Sequence, residues 1–93
     1  MSIKEQLKLL VNEGEQVKNT CTKQSPSGRG ELIVGEDYEK WIAKCIILLE
    51  SESKLSKTLV TKFIKTSEDA VGNGYKYYDT MIGILKAFND MDI

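Results

Sequence analysis

The chain contains no histidine, one arginine and one proline among its 93 residues. Without histidine it lacks the usual general base near neutral pH, the usual partner of a catalytic serine or cysteine, and the commonest zinc ligand. Cysteine is scarce as well. Cys21 and Cys45 lie 24 positions apart with no C-x-x-C or comparable spacing, so a structural zinc site has no support. Both fall on apolar helix faces and read as buried free thiols, not as a disulfide. No metal and no cofactor is expected.

Long hydrophobic runs are missing too. The best candidate, IILLE at 46–50, sits beside Lys44 and ends in an acid, well short of the roughly 18 residues that would span a bilayer. Charges interrupt the apolar positions of the opening MSIKEQLKLL, which is not the basic-then-apolar order of a signal peptide. We expect a cytoplasmic protein with no membrane partner. A formal net charge of −1 exerts no overall pull toward nucleic acid or anionic lipid.

What is present is an ordinary globular composition, 41% hydrophobic and 29% charged, in a length that suits one domain over residues 1–93. Ser2 and Glu5 fit a capping box, and Ile3, Leu7, Leu10, Val11, Val17 and Cys21 then share one arc about 120° wide, as an amphipathic helix requires. Gly14 lies in the middle of that arc. A glycine there costs about 1 kcal/mol against alanine, which a close helix–helix contact would offset.

A second helix, 37–51, carries Glu36, Asp37 and Glu39 at its start, where the helix dipole favours negative charge. Its inward face is Tyr38, Trp41, Ile42, Cys45, Leu48 and Leu49, and Ile46 widens it into the most buried helix. Ser51 or Ser53 can cap a third helix, read as continuous over 54–71 up to a left-handed Gly72, with a break at Ser67 as the alternative. After the tight connector Gly72-Asn73-Gly74, a fourth helix at 75–90 buries Tyr77, Met81, Ile84, Leu85 and Phe88. The expected fold is all-α, a compact four-helix bundle with a long loop between helices 1 and 2. Trp41, Leu48, Phe63, Ile84 and Phe88 should share its core.

That loop gathers the lone proline, the lone arginine and Gly28, Gly30 and Gly35. As a phosphate cradle it fails. Gly30 to Gly35 has the P-loop interval, but Glu36 stands where the lysine must be. Gly28-Arg29-Gly30 lacks the third glycine of the dinucleotide pattern, and only a helix precedes it. The loop reads first as a connector, with Leu32, Ile33 and Val34 covering one end of the bundle. Its functional reading is a contact loop with Arg29 at the tip.

Two surfaces remain. Lys54, Lys57, Lys62 and Lys65 fall within about 140° opposite the apolar stripe of the third helix. They form either a candidate basic face for phosphate backbone or a solvated face, with Lys65 pairing to Glu68 and Asp69. Leu9 and Ile47 are large aliphatic residues on the polar sides of their helices. Converging with Leu32, Ile33 and Val34, they would form an association patch. Tyr75, Tyr77 and Tyr78 cluster at the start of the fourth helix, as interface residues or at the edge of the core.

The segment GEDYEKWIAKCIILLE, with Tyr38, Trp41, Cys45, Leu48 and Leu49 after an amphipathic helix and a proline/glycine loop, resembles helical N-terminal regions of uncharacterised bacterial and prophage proteins. Some of these are associated with abortive infection and phage defence. The resemblance covers roughly residues 7–50 and carries over no catalytic residue. It implies a bacterial or phage cytoplasmic protein that acts by contacting another protein. The chain is then a fragment, or a free-standing relative, of a larger protein. The expected function is a non-enzymatic protein-interaction module, an adaptor or inhibitor in phage–host conflict. The alternative is a nucleic-acid-associated protein using the lysine face, and an enzyme completed by another chain is the third reading. A homodimer through Leu9 or Ile47, with residues 32–34 nearby, is the expected self-association.

Overall fold

The Ser2 hydroxyl accepts the backbone N–H of Glu5 at 3.2 Å and so starts α1, Ile3–Cys21, where the capping pattern places it. The structure is a computed structural model that describes residues 2–28 and 30–91. Within it follow β1 (Thr22–Gln24), β2 (Glu31–Ile33), α2 (Glu36–Ser51), α3 (Lys57–Glu68) and α4 (Tyr75–Asp90). Helix α1 packs on α2 and α4, and α3 packs on the same two, giving a body of 43 × 23 × 20 Å.

Instead of an unstructured loop, residues 22–24 and 31–33 form an antiparallel strand pair, with Thr22 opposite Ile33, Lys23 opposite Leu32 and Gln24 opposite Glu31. A strand therefore does precede Gly28 and Gly30, although the missing glycine and Glu36 still exclude a phosphate cradle. Val34 donates its N–H to the Cys21 carbonyl at 3.1 Å, so the hairpin returns directly onto the end of α1. Ile33 is fully buried, and Leu32 and Val34 are half-buried. The segment thus closes one end of the helical body. Arg29 lies outside the described residues.

The third helix is shorter than its hydrophobic stripe suggests. Residues 53–55 form a turn in which Leu55 is already buried, and the helix starts at Lys57 with Ser56 accepting the N–H of Leu59 at 3.4 Å. It passes Ser67 unbroken and ends at Glu68. Beyond that the backbone tightens: Asp69 and Ala70 donate three residues back, to Thr66 and Ser67. Gly72 is left-handed, with φ 82°, but its N–H does not cap α3. It donates to the Ile33 carbonyl at 2.8 Å, while Ile33 donates to the Asn73 carbonyl at 3.0 Å. The turn is drawn onto β2, and that costs the helix its last three residues.

The core takes in all four helices. Trp41, Phe63, Ile84 and Phe88 share it as expected, whereas Leu48 is half-buried at its edge. Helix α4, not α2, buries the most, because Tyr78 and Ile82 turn inward while Tyr77 is only half-buried. Gly14 supplies the close contact that its position demands. A Cβ there would stand 2.6 Å from Cζ2 of Trp41 and 2.9 Å from Cδ1 of Ile82. Trp41 then donates its indole N–H to the Leu10 carbonyl at 2.8 Å, and its ring stacks on Tyr38 at 6.1 Å and tilts against Tyr78 at 5.9 Å. One notch in α1 fixes both neighbouring helices.

Candidate interaction surface

The seam between α1 and α2 runs antiparallel, because the hairpin turns the chain back on itself. Glu13 and Gln16 of α1 line one stretch of it with Lys40 and Lys44 of α2. Further along, Gln6, Leu9 and Leu10 lie on the α1 side and Ile47, Leu48 and Ser51 on the α2 side. These last residues, with Glu13 and Lys44, line an open groove of about 390 Å³. Leu9 is 52% exposed and Ile47 69% exposed. The two aliphatic residues that the helical periodicity set apart therefore stand on opposite walls of one groove.

At one edge of the groove Lys44 donates to Glu13 Oε1 at 3.0 Å, the one ion pair among the described residues. Its arms are half in solvent, so it contributes at most about 1 kcal/mol. Next to Lys44 in α2 is the buried Cys45, whose thiol is pushed well above its ordinary range by burial, with the Glu13 carboxylate adding and Lys44 opposing. A thiol held protonated is a poor nucleophile.

Residues 32–34 are not part of this patch, contrary to the expectation. Val34 is bonded at Cys21, and twelve residues of α1 separate that point from Leu9, about 18 Å at the helical rise. Ile33 is buried against Asn73 and offers nothing to a partner.

The lysines are all exposed, but only Lys57, Lys62 and Lys65 belong to α3; Lys54 lies in the preceding turn. Lys65 makes no ion pair with Glu68 or Asp69 among the described residues. The tyrosines divide: Tyr78 is buried, while Tyr75 and Tyr77 are half-buried. Lys18 stands 4.5 Å over the Tyr75 ring, whose hydroxyl donates to Glu31 Oε2 at 2.9 Å and so ties α4 to the hairpin. Tyr75 therefore works as a brace inside the fold.

Sequence reasoning passed over Glu13 and Lys44 as groove-edge residues. Their signal was present in the four-residue step from Leu9 to Glu13 and the three-residue step from Lys44 to Ile47. Tyr38, expected on the inward face of the second helix, is fully buried, and its hydroxyl has no hydrogen-bond partner among the described residues. Among the described residues, no helix is long and apolar enough to cross a membrane, and no group of three or more cysteines and carboxylates is placed to hold a metal ion. No protein-family model, curated protein or solved structure matches this chain at a significant level.

Proposed function

We propose that this chain is a non-enzymatic protein-interaction module that meets its partner through the α1–α2 face. The observation that carries this reading is the convergence of Leu9 and Ile47, both more than half exposed, on one groove. Covering an aliphatic side chain contributes about 1.5–3 kcal/mol, and neither residue serves the core. A four-helix bundle in the cytoplasm, acting as an adaptor or inhibitor in phage–host conflict, is the wider setting. The cyclic packing of the helices supports the bundle, and the resemblance of the 36–50 segment supports the setting. The non-enzymatic reading is supported by the lack of histidine and by two buried thiols, one of them held protonated.

A photo-crosslinking amino acid at position 9, 47 or 62, introduced in the native host, tests the surface. Positions 9 and 47 should yield a discrete protein adduct and position 62 should not. Equal labelling from all three positions, or none from 9 and 47, would refute the reading.

A second reading, nucleic-acid association, is favoured by Lys57, Lys62 and Lys65, which share one exposed face and make no ion pair among the described residues. It requires binding that weakens steeply with salt and is lost when these three and Lys54 become glutamine.

A further inference from the structure

We infer that the occupant of the α1–α2 face is a second copy of this chain, related by a twofold axis that runs along the groove. The inference rests on that face being the contact surface and names what covers it.

The charges along the seam decide the arrangement. A twofold axis along the groove keeps every residue at its own height and exchanges the two walls. Helix α1 of each copy then lies over α2 of the other. At the level of Leu9 the opposing residue is Ile47 of the second copy; one turn further on, Glu13 opposes Lys44. Beyond that, Gln16 opposes Lys40. Each aliphatic residue meets an aliphatic one and the carboxylate meets an ammonium, with every contact made twice. An axis across the groove would instead lay α1 on α1 and α2 on α2, an arrangement that brings neither Glu13 carboxylate opposite a Lys44 ammonium of the other copy.

The size of the face sets the strength. Helix α2 has 16 residues, about 24 Å of length, and two helices side by side span roughly 20 Å, so the buried total is on the order of 1,000 Å². That is the low end for specific interfaces, the size class of weak and transient encounters. The net charge of −1 adds little repulsion.

Reciprocal charge reversal provides the test. Glu13→Lys alone places lysine opposite Lys44 of the other copy, twice, and Lys44→Glu alone places two carboxylates together. Each variant should stay folded by circular dichroism, because both side chains reach solvent, and each should lose self-association by about tenfold or more in sedimentation equilibrium. Mixed in equal amounts, the two variants restore both attractive pairs and should form a heterodimer. A mixture that stays monomeric, variants that dimerise like the parent, or a parent that is monomeric at high micromolar concentration would each overturn the inference. A monomeric parent that still yields an adduct with a different protein from position 47 overturns the second copy alone and leaves the contact surface standing. No adduct of any kind from positions 9 and 47 removes both.

Discussion

The indole of Trp41 occupies the notch that Gly14 leaves in α1, with its Cζ2 only 2.6 Å from where a Cβ on residue 14 would stand. Trp41 is fully buried and hydrogen-bonded to Leu10, so it has no room to withdraw. Gly14→Ala should therefore destabilise the fold. Overpacking costs about 1–3 kcal/mol, which outweighs the helix-propensity gain of about 1 kcal/mol. Gly83→Ala is the control, because nothing lies within 4 Å of a Cβ at that exposed position. It should raise stability by up to about 1 kcal/mol. Urea midpoints that move the same way for both variants would contradict this packing.

Trp41→Ala removes the ring that fills the notch, stacks on Tyr38 and ties α2 to the Leu10 carbonyl. A loss of about 3–5 kcal/mol is expected, a large fraction of the stability of a small domain. Denaturant titration followed by far-ultraviolet circular dichroism checks it.

The Gly14 contact shows how far the sequence could be read. A glycine at the centre of an apolar stripe announces close approach, yet its partner lies 27 positions away, and local periodicity holds no information on which helix arrives there. The exposure of Leu9 and Ile47 was legible for the same reason that their meeting was not. Facing is set within a helix, while convergence depends on the antiparallel register that the hairpin imposes. The hairpin itself escaped notice because each strand has three residues and Thr22-Lys23-Gln24 shows no apolar alternation. Residues 69–71 misled because their stripe continues in phase, while the bonds to Ile33 that pull Gly72 and Asn73 away are long-range.

Tyr38 should tolerate loss of its hydroxyl. That oxygen is buried without a partner, and a buried unsatisfied polar group costs about 1–3 kcal/mol. Tyr38→Phe keeps the stacking on Trp41 and should leave stability unchanged or raise it by about 1 kcal/mol. A clear loss of stability would show that the hydroxyl has a partner.

Alkaline pH should weaken the fold. Burial pushes the Tyr38 phenol and the Cys45 thiol well above their ordinary ranges. It also pushes Tyr78 up to about 12, with Glu15 and then Asp79 adding. In the unfolded chain these groups ionise near their usual values, about 8.5 for cysteine and 10 for tyrosine. The unfolded state therefore releases protons first, and stability falls as pH rises from about 8 toward 12. Below about pH 8 these groups contribute no pH dependence. Urea midpoints from neutral pH upward should show the decline, and Tyr78→Phe should make it shallower.

The most direct test of the α1–α2 face as an association surface is sedimentation equilibrium of the Leu9→Lys/Ile47→Lys double variant beside the parent chain, with thermal melts on the same samples. Both side chains are more than half exposed, so folding stability should change by less than about 0.5 kcal/mol. The parent should show an apparent mass that climbs with concentration toward twice 10.5 kDa, and the variant should hold at the single-chain value. A variant that unfolds would place Leu9 and Ile47 in the core, and identical masses for parent and variant would show that this face joins nothing to itself.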